Sequence, residues 1–205
     1  MRKGTSHRGH VERMERAGSG MPDLTSHPWA SGHDVRFYED DAYLCTAVSA
    51  FLADGIRSTQ PIIVIATAAH RREFAAQLRL KGLNVDALHP GDSIWLDAHE
   101  TLSAFMEGPM PNADLFMATV GNVFEKALAN RRYLVVRAYG EMVDMLWRQG
   151  KSEGAIALEN LWNDLARRYA FSLLCAYSKE SMLAHSPEGG IDRICACHSR
   201  VLPGQ

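Results

Sequence analysis

No segment of this sequence has about 18 or more consecutive apolar residues, so no transmembrane helix is predicted. Only four cysteines occur among 205 residues, which excludes a small domain held together by disulfide bonds. Neither sign of charge dominates, because 22 basic residues face 24 acidic ones and the net charge is −2. The chain as a whole is no polycation for nucleic acid or anionic lipid, so we expect it to bind neither directly. Since the sequence predicts neither a transmembrane helix nor a secretory signal, we expect a cytoplasmic protein.

The amino-terminal part differs in composition from the rest. The first 32 residues are rich in Gly, Ser and His and have few apolar side chains to bury. We therefore predict a disordered tail over residues 1–32. No apolar stretch follows the positive charge at the start, so a secretory signal is not expected. Hydrophobic residues make up 46% of the chain, which is enough for one globular domain over residues 33–205.

Short apolar runs alternate with segments of helical periodicity along this domain. The predicted strands are 35–39, 61–67, 93–98, 133–139 and 171–177. The predicted helices are 40–54, 69–81, 100–106, 112–130 and 152–169. Gly55 is expected to stop the first helix, Ser152 to cap the last one, and Leu115 to face inward. This order predicts an α/β fold, a three-layer sandwich with a mainly parallel central sheet.

A phosphate-binding loop of the type GxxxxGK[ST] is missing. In that loop bare glycine backbone surrounds the phosphates and the lysine binds their charge. The corresponding segment here continues from Thr67 through Ala68-Ala69-His70-Arg71-Arg72, with neither glycine nor lysine. The two arginines are typical of a solvated helix face, and His70 is expected at the surface. Nucleotide hydrolysis is therefore not expected.

Polar and aromatic residues fall in segments where a ligand site is expected, since open parallel sheets bind ligands at the carboxyl ends of their strands. Arg137, Tyr139 and Glu141 alternate along one predicted strand and share a side of it. Two interpretations stay open for them and for the helix that follows: a small-ligand site, or an ion-pair network that ties helix to sheet. The helix contributes Glu159, Trp162 and Asn163, and the expected aromatic walls are Tyr139, Trp147, Trp162 and Tyr177.

The carboxyl-terminal sequence Cys195-Ala196-Cys197-His198 offers thiolate and imidazole groups of the kind that bind zinc, and His185 could add a ligand. No second Cys-x-x-Cys pair supports such a site, and Cys45 and Cys175 lie in segments typical of a core. The metal interpretation is therefore the weaker one. No cofactor is expected.

Several motifs in order resemble one known family. They are His33-x-x-x-Phe37-Tyr38-Glu39, Asp54-Gly55-Ile56, Arg137-Ala138-Tyr139-Gly140-Glu141-Met142, Leu158-Glu159-Asn160-Leu161-Trp162-Asn163, Leu173-Leu174-Cys175-Ala176-Tyr177 and Ile194-Cys195-x-x-His198-Ser199. Their combination over about residues 33–200 is similar to the MEDS family, the methanogen/methylotroph DcmR sensory domain. The resemblance implies a RecA-like fold without a phosphate-binding loop. It also implies a sensory role in prokaryotic signal transduction, with small hydrocarbon derivatives as ligands.

The resemblance places further residues in the candidate site. They are His33, Glu39, Arg137, Glu141, Glu159, Asn163, Cys175, Tyr177 and His198. Our first hypothesis is a non-catalytic small-molecule sensor in which the helix 152–169 moves on binding. The alternatives are a protein-interaction regulator of a histidine kinase or sigma-factor system, and a diverged nucleotide-using enzyme. The expected partners are a small organic ligand, a signalling protein and, as an open alternative, a second copy of the chain.

Overall fold

The computed structural model describes residues 32–89, 91–129 and 135–204. The predicted tail, residues 1–32, lies outside the described residues except for Gly32, which begins the first strand. In the described ranges, no helix has the length and the apolar character that crossing a membrane requires.

The strands are β1 (Gly32–Tyr38), β2 (Ile62–Ala66), β3 (Ser93–Asp97), β4 (Met106–Glu107), β5 (Met110–Pro111), β6 (Val136–Gly140), β7 (Phe171–Ser178) and β8 (Arg200–Leu202). Five of them, β1, β2, β3, β6 and β7, follow the predicted apolar runs closely. The helices are α1 (Asp41–Arg57), α2 (Ala68–Leu80), α3 (Ala98–Ser103), α4 (Ala113–Phe116), α5 (Asn122–Leu128), α6 (Met142–Arg148), α7 (Ser152–Ala166), α8 (Lys179–His185) and α9 (Gly190–Cys197).

The central sheet of the described chain has six strands in the order β3-β2-β6-β7-β1-β8, and every neighbouring pair is parallel. Helices cover both faces. The predicted α/β three-layer sandwich is therefore confirmed, and its sheet is entirely parallel rather than mainly so. The strands β2, β6 and β7 are buried along their whole length, which agrees with their near-continuous apolar sequences.

Alternation along the strands divides the core into two parts. On one face, Ile63, Ala138 and Leu173 pack with α3, α5, α6 and α7. On the other face, Val64 and Tyr139 pack with α1 and α2. Any two residues on opposite faces are separated by the sheet itself, which decides which candidate residues can meet.

The prediction that the first helix stops at Gly55 is wrong, because α1 continues to Arg57. Gly55 is buried, and a Cβ atom there would lie only 2.5 Å from Cγ of Arg137. The glycine lets α1 approach β6 closely. It therefore serves packing between elements rather than helix termination.

The predicted long helix from 112 to 130 is divided by a π-helical segment, Met117–Gly121, between α4 and α5. Asn112 caps its start as predicted, since its side chain accepts a hydrogen bond from the backbone of Leu115. The inward position predicted for Leu115 is wrong: its side chain is exposed and Phe116 is buried instead. The wider π turn changes the phase of the helix, so a constant helical period fails here.

Other predictions of helix ends and small elements were wrong or incomplete. Ser152 is the first residue of α7, and no side chain caps this helix. The hairpin β4–β5, the helices α6, α8 and α9, and the edge strand β8 were not predicted. These elements have eight residues or fewer, whereas a helical period is recognised over a window of about 11 to 18 residues.

Candidate functional site

Glu141 follows β6 and directs its carboxylate at the start of α2. The backbone N–H of Thr67 donates to Oε2 of Glu141 at 2.9 Å. Thr67 is the N-cap of α2, where exposed N–H groups and the helix dipole favour negative charge. The protein's own carboxylate thus occupies a position at the carboxyl edge of the sheet where an external anion could otherwise bind.

His70 completes this arrangement. Its Nδ1 lies 2.8 Å from Oε1 of Glu141, and its Nε2 lies 3.7 Å from Asp41. The hydrogen bond to Glu141 raises the pKa of His70, and this outweighs the opposing effect of burial. The side chain is only 12% exposed, so the prediction that His70 lies at the surface is wrong.

Asp144 on α6 forms a second polar centre near the same edge. Its side chain accepts hydrogen bonds from Tyr38 Oη at 3.1 Å and from Arg148 Nε at 2.7 Å. It also accepts from the backbone of Ser178 and from Oγ of Ser181, at 3.1 and 3.0 Å. Asp144 is 2% exposed, and its four donors join β1, α6, β7 and α8. This centre is a fully bonded network that holds four elements together.

Arg137 lies near the amino end of β6, opposite the first residue of β2. Its Nε donates to Gln60 Oε1 at 3.0 Å, and its guanidinium lies over the ring of Phe51, 4.7 Å from the ring centre. Burial lowers the pKa of this guanidinium. Arg137 and Glu141 are four positions apart, about 13 Å along an extended strand, so the two side chains lie at opposite ends of the sheet.

A groove of about 380 Å³ runs between α1 and the strands β7, β1 and β8. Arg137 and Arg36 contribute its positive charge, and Asp54 contributes a carboxylate. Its remaining lining is mostly apolar or aromatic: Tyr43, Thr46, Ala47, Ala50, Phe51, Leu174 and Leu202. The groove combines apolar walls with a few charged groups, as binding sites for small organic molecules do.

A larger cleft of about 520 Å³ lies beside α2, lined by Arg71, Arg72 and Arg79 among others. Two of these arginines already pair with aspartates, Arg71 with Asp97 at 2.8 Å and Arg79 with Asp86 at 3.2 Å. The positive charge of this cleft is therefore largely compensated within the protein, which agrees with the solvated helix face predicted from the sequence.

On the opposite face of the sheet, a buried polar cluster surrounds Glu159 of α7. Tyr177 Oη donates to its Oε1 at 2.7 Å, and His33 Nε2 lies 3.1 Å from its Oε2. His198 Nε2 lies 3.4 Å from Oε1, and Cys175 Sγ lies 3.5 Å from Oε2. Glu159 is 0% exposed. Burial alone would raise its pKa, but the charge and hydrogen bonds of His198 and His33 lower it well below the usual range.

Burial also acts on the partners of Glu159. It raises the pKa of the Cys175 thiol and of the Tyr177 hydroxyl, and the nearby carboxylate adds to both shifts. For His198, burial lowers the pKa, but the Glu159 carboxylate and the carbonyl of Ile194 raise it by a larger amount. The net shift of the His198 pKa is therefore upward. The cluster favours a negative Glu159 with positive charge beside it.

The structure divides the predicted site residues among separate places. His33, Glu159, Asn163 and Tyr177 meet in the Glu159 cluster, while Arg137 lies across the sheet and does not join them. Glu141 belongs to the Thr67–His70 centre, and Glu39 pairs at the surface with Lys179 at 2.7 Å. The four expected aromatic walls are at most 1% exposed and pack within the two core parts: Tyr139, Trp147, Trp162 and Tyr177.

The carboxyl-terminal metal candidates are also separated. His198 enters the Glu159 cluster, whereas the backbone carbonyl of Cys197 accepts a hydrogen bond from Asn163 at 3.0 Å. Cys195 is partly buried on α9, and His185 is exposed at the end of α8. Cys175, which the sequence analysis assigned to the core, is the cysteine that lies beside both histidines.

Sequence reasoning missed the partnership of His70 with Glu141 and the role of Asp144. The resemblance named both Cys175 and His198, but nothing in the sequence placed these two side chains beside each other. They lie 23 positions apart on elements that only the fold brings together. A signal was present for Asp144, since an acidic residue inside the apolar run Met142–Trp147 must be paired when buried.

Comparison with known proteins gives one match. Residues 32–199, nearly the whole described fold, match the family MEDS: MEthanogen/methylotroph, DcmR Sensory domain. No curated protein matches the chain. The resemblance noted in the sequence is therefore confirmed over residues 32–199. The chain belongs to the MEDS family of sensory domains, which gives it a sensory or regulatory role in signalling.

Proposed function

We propose that this chain is a non-catalytic sensory domain that binds a small organic molecule in the groove beside α1 and signals to a separate protein. The observation that carries the proposal is the placement of Arg137. The residue is 7% exposed, its guanidinium lies over the ring of Phe51, and it lines a groove with apolar walls. A volume of about 380 Å³ suits a small ligand.

The chemistry of the groove favours a ligand with an apolar body and one polar or negative end. Leu174, Leu202 and the ring of Phe51 would contact the apolar part. Arg137 and Arg36 would bind the polar end through charge-assisted hydrogen bonds. Short-chain oxygenated or halogenated hydrocarbons have this character, which agrees with the ligand class that the family resemblance implies.

The carboxyl edge of the sheet supports a function without nucleotide chemistry. Glu141 already accepts the Thr67 N–H at the start of α2, so a phosphate there would meet a carboxylate. The repulsion between the two anions opposes triphosphate binding. Neither a glycine-rich loop nor a lysine follows β2 to offset it.

The helix α1 is the element that such a ligand would move. It lines the groove from Tyr43 in its first turn to Asp54 near its end, and Asp41 in the first turn lies 3.7 Å from His70. A ligand that displaces α1 would therefore also alter the Glu141–His70 centre. The expectation from sequence, that α7 moves, places the change on the face opposite to the groove.

Thermal-shift measurements with short-chain alcohols, carboxylates, amines and halogenated hydrocarbons test this proposal. We expect at least one compound class to raise the melting temperature of the wild-type chain. Ala50→Trp fills the groove from an exposed position and should abolish that rise. Ala42→Trp changes another exposed alanine of α1, outside the groove lining, and should preserve it.

Equal responses of these two variants would exclude the groove as the binding site. Loss of the response in Arg137→Ala, with the fold retained, would assign the polar contact to Arg137. Calorimetry with Mg-ATP provides the opposing test, because tight nucleotide binding would contradict the non-catalytic proposal and favour a diverged nucleotide-using protein.

A further inference from the structure

The Glu159 cluster combines four side chains of the types that bind transition metals. They are His33 on β1, Glu159 on α7, Cys175 on β7 and His198 just after α9. One nitrogen, sulfur or oxygen atom from each lies within 4.8 Å of all the others. The side chains of His33, Glu159 and His198 are 5%, 0% and 0% exposed, and Cys175 is 0% exposed.

Hydrogen bonds outside the cluster orient both imidazole rings. Nδ1 of His198 lies 2.7 Å from the carbonyl oxygen of Ile194, which only accepts. Nδ1 of His33 lies 3.0 Å from Oδ1 of Asn163. The amide of Asn163 cannot be reversed, because its Nδ2 donates to the carbonyl of Cys197 at 3.0 Å. Each Nδ1 therefore carries a proton, and in a neutral ring each Nε2 presents its lone pair to Glu159.

With the rings in this orientation, the lone pairs of the two Nε2 atoms point toward the carboxylate oxygens of Glu159. Two imidazole Nε2 atoms and a carboxylate face one another around the Cys175 thiol, and among the described residues Nε2 of His198 has no hydrogen-bond partner of good geometry. Tyr177 donates to Glu159 from outside the group. Outer hydrogen bonds that set the tautomer of a histidine and hold a carboxylate are the usual surroundings of metal ligands.

We propose that His33, Glu159, Cys175 and His198 form a closed binding site for one divalent transition-metal ion of the zinc type. The edges of a tetrahedron of zinc ligands are about 3.3 to 3.6 Å long. The separations among His33 Nε2, Cys175 Sγ and Glu159 Oε2 are similar, at 3.1, 3.4 and 3.5 Å, and the four ligand atoms all lie within 4.8 Å of one another. Imidazole, thiolate and carboxylate together suit zinc rather than magnesium or calcium.

Charge balance supports the same assignment. The Glu159 carboxylate and a Cys175 thiolate carry two negative charges, which a divalent cation neutralises, and the two histidines bind as neutral rings. On binding, the thiol proton and any proton carried on a histidine Nε2 leave to solvent. With four protein ligands no position stays open for a substrate, so the ion would join the segment after α9 to β1, β7 and α7. This role is distinct from the proposed ligand groove on the opposite face.

Zinc titration of the reduced full-length chain, in competition with a chromophoric chelator, tests the site. We expect one equivalent of Zn²⁺ to bind, and Cys175→Ser to weaken binding by more than about tenfold. Cys45→Ser is the matched control, since Cys45 is also a buried free cysteine but packs on the other face of the sheet. His198→Gln should weaken binding, and the exposed His185→Gln should not.

Cobalt substitution keeps the test decisive if Cys175→Ser does not fold. A variant with Cys45, Cys195 and Cys197 all changed to serine retains Cys175 as its single thiol. We expect its Co²⁺ complex to show thiolate-to-metal charge-transfer absorption, which histidines elsewhere in the chain cannot produce. Absence of this absorption, failure to bind stoichiometric zinc, or equal binding by Cys175→Ser and Cys45→Ser would overturn the proposal in favour of a proton-bridged, metal-free network.

Discussion

At the scale of single residues, two buried carboxylates, Glu141 and Glu159, are stabilised by different kinds of partner. Glu141 is balanced by a backbone N–H and by His70, close to solvent at the sheet edge. Glu159 is balanced deep in the core by two imidazoles and a tyrosine hydroxyl. A buried carboxylate without such partners would destabilise the fold by several kcal/mol, so each residue around it is constrained by the others.

The pair of His70 and Glu141 makes a prediction about pH. The pKa of His70 is raised in the folded chain, so its contribution to stability is complete below its unfolded value, near pH 6.5. That contribution is lost as the pH rises through the raised, folded pKa. His70→Gln should therefore lower the free energy of unfolding by about 1 kcal/mol at pH 5.5, and by less at pH 8.5.

Urea denaturation across this pH range measures the difference, with His99→Gln as the control because His99 is exposed. Asp41 and Glu141 both favour the protonated ring, while Arg148 opposes it. A difference between His70→Gln and wild type that grew with pH would contradict the assigned ion pair.

At the scale of elements, close packing depends on two glycines that the sequence pattern does not explain. Gly55 lets α1 lie against the stem of Arg137, and Gly154 lets α7 approach the carbonyl of Pro109 beside the β4–β5 hairpin. An added Cβ atom would lie 2.5 Å from its nearest neighbour in both places. The positions of α1 and α7 therefore depend on the absence of a side chain.

Gly55→Ala provides the test at this scale. Alanine normally stabilises a helix interior by up to about 1 kcal/mol relative to glycine. Here we expect a loss of about 1 to 3 kcal/mol, because the methyl group overlaps the side chain of Arg137.

Chemical denaturation of Gly55→Ala, Arg137→Ala and the double variant measures the effect and its origin. The double variant should lose less stability than the sum of the two single variants, since removing the stem of Arg137 relieves part of the overlap. Additive losses would show that the two residues do not interact.

At the scale of the whole molecule, the last described strand closes one edge of the sheet. β8 pairs with β1, and Arg200 binds Asp34 through two hydrogen bonds of 2.9 and 2.6 Å. Just before it, Ser199 donates its backbone N–H to the carbonyl of His33. Without β8, the backbone of β1 would present an unpaired edge.

Truncation after Ser199 should therefore lower stability and promote self-association through β1. We expect a loss of about 2 kcal/mol or more, from the removed hydrogen bonds and the partly buried Leu202. Arg200→Gln is the control: it removes the ion pair but keeps the backbone pairing, and should cost less than about 1 kcal/mol.

Denaturation together with analytical ultracentrifugation distinguishes the two effects. A truncated chain that remained monomeric at high concentration, with wild-type stability, would show that β8 does not protect this edge.

The amino-acid sequence by itself determined the layered α/β architecture. Apolar runs, helical periods and the cap at Asn112 are local signals, and they located all five long strands and the main helices. The same local information failed at the π segment and at Gly55, where packing between elements outweighs the intrinsic preference of the segment. Short elements such as α9 and β8 have too few residues for a local pattern to identify them.

The candidate residues were recognisable by type, because charged groups within apolar segments must be paired or functional. Their grouping was decided only by the tertiary structure. Alternation and helical spacing specify which face of an element a residue occupies, but not which other element covers that face. The parallel sheet separates Arg137 from Glu159 and brings Cys175 to His33 and His198, because contacts between distant segments depend on strand order, which no local pattern encodes.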